Sequence, residues 1–222
     1  MSDKTSVPSS GRFFNEFADT FDTFYDGKRS ATMQWVDQRF RRDMFVRFQS
    51  TFDFLGDLTG RRVLDIGCGS GPYIAEALRR GAAHITGIDP APRMLELARS
   101  RVAHLGGEQK VELLLGSFPE SCPQERFDDA IVMGLMDYVE DAPSFMRALK
   151  SVVEHRAVLS FPSIHWFRTP LRKLRYRVRH CPVRFYSRDE IEGLVQGIGV
   201  RGYQLTKIPG AGMDYVLCLT MS

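Results

Sequence analysis

Residues 63–71 read Val63-Leu64-Asp65-Ile66-Gly67-Cys68-Gly69-Ser70-Gly71, and Pro72 opens a helical pattern directly after them. An apolar run that closes on an acid and then on three glycines at alternate positions predicts a buried strand, a tight turn and a helix start. Glycine tolerates positive φ and lets a ligand lie against bare backbone, and the first turn of a helix presents N–H groups without partners. Pro72 suits that first turn, where the donor it lacks would have gone unpaired. A turn of this kind can cradle a nucleotide-type ligand, and the spacing separates two kinds. The dinucleotide fingerprint is G-x-G-x-x-G. Here the glycines fall at 67, 69 and 71, and Pro72 stands where the third fingerprint glycine would be. A second acid, Asp89, closes the apolar run 84–89, 24 positions beyond Asp65 and near the roughly 20-residue spacing of one βαβ step. An acid at that strand end can accept both ribose hydroxyls of a nucleoside.

The order acid, any, Gly, any, Gly, any, Gly resembles the class I S-adenosylmethionine-dependent methyltransferases, and the resemblance covers the chain from about residue 61 onward. It implies that Asp65, Gly67, Cys68, Gly69 and Gly71 hold the methionine end of the cofactor, and that Asp89, Pro90 and Met94 border the ribose. Ser117 and Phe118, in the turn after the third strand, would frame the adenine; the family most often has Asp at the place of Ser117, and a hydroxyl can still accept that bond. Met133, Gly134 and Leu135 would lie under the methyl donor. Many relatives carry Glu-His where this chain has Asp137-Tyr138. A histidine there could take a proton, whereas a tyrosine of ordinary pKa near 10 does so poorly. Tyr138 is then as well suited to orient substrate, and Asp137 and His165, just past the fifth strand, are the candidate bases. The resemblance also implies an N-terminal lid, with Tyr25 against the cofactor. The lead-in through Phe52 and Leu55 to Gly60-Arg61-Arg62-Val63 looks like that of magnesium-protoporphyrin O-methyltransferases, and natural-product and sugar methyltransferases share it. The reaction implied is in-line transfer of the sulfonium methyl to an O, N or C nucleophile, leaving S-adenosylhomocysteine.

The elements that must position these residues follow from periodicity. Residues 1–11 read as a mobile tail, and 12–222 as one methyltransferase domain. Within it, 12–60 is a helical lid: Phe14, Phe17, Phe21 and Phe24 lie on one helical face, and a second stripe from Met33 through Phe40, Phe48 and Phe52 to Leu55 predicts a helix over about 30–56. The ordinary reading of so many aromatics is core. Residues 61–161 alternate strands and helices as the cofactor-binding core, 162–186 form a basic substrate cap, and 187–222 hold a final helix and hairpin. The strands fall at 62–66, 84–89, 110–115, 128–133 and 156–161, and the helices between them end near 80, 105 and 153. Ser187 and Glu190 make a capping box with a Tyr186–Ile191 staple, and 202–208 with 213–219 make an antiparallel pair. The expected architecture is α/β: a Rossmann-like doubly wound sheet of seven strands with an antiparallel C-terminal hairpin.

Composition bounds the rest. With 222 residues and 43% hydrophobic content there is room for one well-buried domain and little for two. Four cysteines, at 68, 122, 181 and 218, form no C-x-x-C pair, which with the polar first twelve residues points to a reduced, cytoplasmic protein without a spanning helix. No His, Cys and carboxylate set has metal-ligand spacing, so no metal is expected. The net charge of +3 is modest, yet seven Lys or Arg and no Asp or Glu fall in 168–184, leaving the remainder at −4. A solvated basic face is the ordinary explanation. The functional one is a cap gripping an anionic small molecule through Arg168, Arg172 and Arg175, with Tyr138 beneath. Apolar residues interleaved with this charge also suit contact of 164–184 with an anionic membrane and a lipid substrate. An RNA methyltransferase using 168–184 is disfavoured because the excess charge is local and no RNA-binding module is visible, and a non-catalytic S-adenosylmethionine-binding protein is the remaining alternative.

Overall fold

A computed structural model of the protein describes residues 34–163, 184–208 and 214–221, with side chains from Met44 onward. The expected lid around Tyr25 and most of the expected cap, with His165, Arg168, Arg172 and Arg175, lie outside the described residues.

The chain enters on helix α1 (Gln34–Leu55) and then alternates β1 (Arg62–Ile66), α2 (Pro72–Arg79), β2 (His84–Asp89), α3 (Pro92–His104), β3 (Val111–Leu115), β4 (Phe127–Val132), α4 (Ala142–Val152) and β5 (Val153–Phe161). It ends with α5 (Arg188–Gln196), β6 (Gly202–Lys207) and β7 (Tyr215–Thr220). The strands form one seven-stranded sheet in the order β3-β2-β1-β4-β5-β7-β6. Neighbours from β3 to β5 are parallel, and β7 runs antiparallel to both β5 and β6. This is the Rossmann-like fold with an antiparallel end that the motif order predicts. Strand β5 starts at Val153, earlier than its expected start, because the chain passes from α4 into the sheet with no intervening turn, Val153 being the extended helix cap.

Side chains alternate between two faces along each strand. Leu64, Ile66, Ala130, Val132, Leu159 and Leu217 pack under α4 and α5, in the cluster with Phe145, Leu149, Ile191 and Val195. Val63, Ile85, Ile131, Val158 and Val216 pack under α1, α2 and α3, with Phe52, Ile74 and Leu95. Helices therefore cover both faces, as a largely parallel sheet requires.

Two arginines fix the end of α1. Nη1 of Arg80 donates to the carbonyls of Phe52 and Gly56 at 3.0 and 3.3 Å, and Nη1 of Arg156 reaches that of Phe54 at 3.4 Å. Cations suit these carbonyls because the last turn of a helix is partly negative and short of donors, although that of Phe52 also accepts from Gly56 N–H at 2.8 Å. Arg156 also grips the fully buried Asp129 through two bonds of 2.8 and 3.0 Å, which compensates the carboxylate's lost hydration. Earlier on α1, Arg47 lies 3.7 Å from Asp214, the residue before β7, so α1 runs from the carboxyl edge of the sheet toward its amino edge.

Candidate functional site

The strand order reverses between β1 and β4, the switch point beyond whose carboxyl ends an open α/β sheet has its ligand crevice. The turn after β1 lines it. Gly67, Gly69 and Gly71 all have positive φ, at 74°, 53° and 77°, the left-handed region that only glycine enters cheaply. A Cβ on Gly67 would lie 3.3 Å from Cδ1 of Leu135, so the turn meets the loop after β4 there, whereas a Cβ on Gly69 would meet nothing within 4 Å. The turn is held by the end of β2. The N–H groups of Gly67 and Cys68 donate to the carbonyl of Ile88 at 2.8 and 3.1 Å, and Gly69 N–H donates to Oδ2 of Asp89 at 2.9 Å. The other Asp89 oxygen accepts from Ala91 N–H at 2.8 Å. Both oxygens keep a lone pair for hydroxyl donors, so Asp89 is a strut of the turn that can still accept further bonds.

Two acids are buried side by side at these strand ends. Asp65 is 1% exposed, and its Oδ2 is buried with no hydrogen-bond partner. Burial, and after it the charge of Asp89, pushes its pKa up to about 8. Asp89 is pushed up to about 6 by burial, which outweighs the lowering by the Ala91 and Gly69 amides. An unpartnered buried carboxylate oxygen beside bare backbone suits a ligand that brings a cationic donor. The Cys68 thiol is raised well above its ordinary value by burial and then by the two acids, so it is a neutral packing group rather than a nucleophile. Met94 is also buried, packed with Ala91 and Leu97, and Pro90 is half-buried.

The loop after β4 is fixed by residues far away in sequence. Gly134, at φ 71°, donates its N–H to Oγ of the buried Ser160 at 2.8 Å. The Tyr186 hydroxyl donates to the Met136 carbonyl at 3.2 Å, and Arg184 N–H to that of Asp137 at 2.8 Å. Asp137 and Tyr138 are half-buried on this loop, and Met133 and Leu135 are likewise half-buried at its start. Ser117 and Phe118 follow β3, which pairs Leu115 with Asp89; the Phe118 ring meets that of Phe145 edge-on at 5.1 Å. The structure thus brings Asp65, Gly67, Cys68, Gly69, Gly71, Asp89, Pro90, Ser117, Phe118, Met133, Gly134, Leu135, Asp137 and Tyr138 to the carboxyl edge of β1 to β4. Sequence reasoning missed Ser160 and saw Tyr186 only as a helix staple. The staple does form, with Tyr186 and Ile191 fully buried and both bonds of the Ser187–Glu190 capping box present.

Among the described residues, two groups of His and carboxylate atoms lie within 4.8 Å of one another, His84 with Glu112 and Glu125, and Asp128 with Glu154 and His155. Both sit at the amino ends of strands, and Arg62 and Arg61 already pair with Glu125 and Asp128, so they are structural ion-pair clusters away from the crevice. Among the described residues no helix is long and apolar enough to cross a membrane.

Comparison with known proteins agrees with this geometry. The profile of a family described as a methyltransferase domain matches residues 40–205. The ubiquinone biosynthesis O-methyltransferase of Rhodopseudomonas palustris is 28% identical over 174 residues, covering 72% of this chain and 67% of that protein. The protein of the same name from Aeromonas salmonicida is 33% identical over 108 residues, covering 49% of this chain and 45% of its own, so the chain spans about half the length of relatives such as this one. In three dimensions, magnesium protoporphyrin IX methyltransferase from Synechocystis with bound S-adenosylhomocysteine superimposes with a TM-score of 0.73 at 19% identity, over 96% of this chain and 98% of that one. The family match takes in the glycine turn, both buried acids and the loop after β4, and on that ground the chain belongs to the methyltransferase domain family.

Proposed function

We propose that the chain binds S-adenosylmethionine across the carboxyl ends of β1 and β2 and transfers its methyl group to a small acidic molecule. The observation that carries the reading is the pairing of a glycine turn with two buried acids, one of which keeps an unpartnered oxygen. Asp65 suits the cofactor's ammonium group, the bare backbone of Gly67 and Gly69 its amino-acid tail, and Asp89 its ribose hydroxyls. Ser117 and Phe118 suit the adenine, and Met133 to Leu135 the floor beneath the methyl. When bound, the cofactor supplies a methyl already activated on a sulfonium. The chain's task is then alignment and exclusion of water, which in favourable model systems lowers a barrier by about 7–11 kcal/mol. A carboxylate or phenolate acceptor needs no base; for an alcohol or amine, Asp137 or His165 would take the proton. The relatives are named O-methyltransferases, which favours oxygen as the atom methylated.

The acidic class of acceptor rests on where the basic stretch is tied down. The chain leaves the sheet at Ser163 and returns at Tyr186, which bridge in parallel, and Tyr186 N–H donates to the Pro162 carbonyl at 2.9 Å. The described residues that flank the Arg-rich stretch 164–183 on either side, Ser163 and Arg184, therefore lie beside the loop carrying Asp137 and Tyr138. The Arg184 guanidinium stacks over the Tyr186 ring at 5.0 Å and adds a cation at that margin. Arg168, Arg172 and Arg175 are assigned to the acceptor's carboxylate or phosphate groups. The lid assigned to 12–60 is supported by the course of α1, whose Arg47 meets Asp214 at the carboxyl edge.

Calorimetry with S-adenosylmethionine and S-adenosylhomocysteine tests the cofactor reading, and binding of neither overturns it. Release of S-adenosylhomocysteine is then followed with carboxylate- and phosphate-bearing acceptors, among them porphyrin propionates and phenolic acids, against their amidated counterparts. Faster turnover of the anionic members is expected, and equal turnover overturns the acidic class.

A further inference from the structure

We propose that Arg101 is a positioning residue for the cofactor: from α3 it clasps Ser70 and so holds the glycine turn in its binding shape before any ligand arrives. The inference rests on the reading of that turn as the S-adenosylmethionine site.

Three glycines within five residues give the turn 67–71 an unusually free backbone, so a disordered turn would lose much entropy on closing around a ligand. The amides of Gly67, Cys68 and Gly69 are tied to the end of β2, and that of Gly71 to the Cys68 carbonyl at 2.9 Å. At Ser70 the tie is different in kind. Its carbonyl and its hydroxyl both accept from Nη1 of Arg101, at 2.7 and 3.1 Å. Ser70 is only 5% exposed, so water competes poorly for these bonds, and a guanidinium donor makes them stronger than neutral ones. One turn earlier on α3, Ala98 fits against Gly71 so closely that a Cβ on that glycine would lie 3.2 Å from Cβ of Ala98. Residues three apart on a helix share a face, so Ala98 and Arg101 present one surface of α3 to two consecutive residues of the turn. The same helix starts directly after Ala91, whose N–H holds Asp89. Helix α3 thereby makes the ribose acid and the glycine turn one body, although Arg101 itself is assigned no contact with the cofactor.

The test uses the full chain with Arg101→Ala, Arg101→Lys, Ser70→Ala and the Arg101→Ala/Ser70→Ala double variant. Calorimetric Kd values for S-adenosylmethionine and S-adenosylhomocysteine are read beside the melting temperature of the ligand-free protein. Arg101→Ala is expected to weaken both affinities about tenfold, the scale of losing charge-assisted hydrogen bonds, with the ligand-free melting temperature unchanged. Arg101→Lys should recover most of the affinity, and the Arg101→Ala effect should shrink in the Ser70→Ala background, where one of its two acceptors is gone. Wild-type affinity in Arg101→Ala overturns the proposal, as does a loss that follows a fall in melting temperature and is not recovered by lysine. A wild-type protein that binds neither ligand overturns the cofactor reading together with this one, so the two failures are distinguishable.

Discussion

The two halves of the crevice are held in opposite ways. On the proposed cofactor side, the glycine turn takes its shape from itself and the next strand–helix unit: Ile88 and Asp89 at the end of β2, its own Cys68 carbonyl, and Arg101 of α3 on Ser70. On the acceptor side, the loop after β4 is strung from Ser160, Tyr186 and Arg184, residues from the fifth strand and from beyond the basic stretch. The first half is a compact motif that keeps its form with its ligand chemistry fixed. The second is hung on groups that flank the basic stretch on either side, Ser160 before it and Arg184 and Tyr186 after it, so its lining can change as 164–183 changes while the scaffold stays. This suits a family in which the methyl donor is common and the acceptor varies. Gly67 and Leu135 are where the halves touch.

Four substitutions probe this division, from the largest expected effect to the smallest. Asp65 is the most costly group on the cofactor side. Its folded pKa, about 8, lies above its ordinary 3.8, so the contribution it makes to ligand-free stability is fully present below pH 3.8 and is lost progressively as pH rises from there to about 8. Asp65→Asn should therefore raise the melting temperature at pH 8 much more than at pH 5 while abolishing measurable cofactor binding; equal shifts at the two pH values would contradict the burial argument. Asp89→Ala removes two amide bonds to a carboxylate and the proposed ribose acceptor, and should weaken cofactor binding by about 1.5–3 kcal/mol in calorimetry, with unchanged affinity ruling out the placement of the sugar. Gly67→Ala forces a side chain into the left-handed region against Leu135, at a cost of about 1–3 kcal/mol in denaturant melts. That strain should loosen both halves together. Tyr186→Phe leaves the Met136 carbonyl without its donor, for about 1 kcal/mol, and hydrogen exchange should rise in 134–138 and stay unchanged in 67–71. A rise in both segments would show that the halves are not independently supported.

The same division explains what was legible in the sequence. Asp65, the glycines and Asp89 are spaced by local geometry, strand to turn to helix, and the sheet order with its antiparallel end follows from the alternation of elements. The capping box at Ser187 was equally plain, because both partners lie within one helical turn. Ser160 and Tyr186 were not legible as supports of the site. One sits in an apolar strand and the other before a helix, and their bonds to Gly134 and Met136 span 26 and 50 residues, with no periodicity to mark them. Arg101 was hidden for another reason: on an exposed-looking basic helix, nothing separates an arginine that reaches back to the turn from one that points to water.

Strand β7 follows β6 in the chain yet lies inside it, between β5 and β6. Among the described residues, β7 is the sole neighbour to which β6 is bonded, so excising Tyr215–Thr220 would cast off two strands rather than one. The flank of β5 left bare would be a long hydrophobic rail ready to recruit a stranger's backbone. A chain cut between Lys207 and Tyr215 would therefore become a seed for self-association.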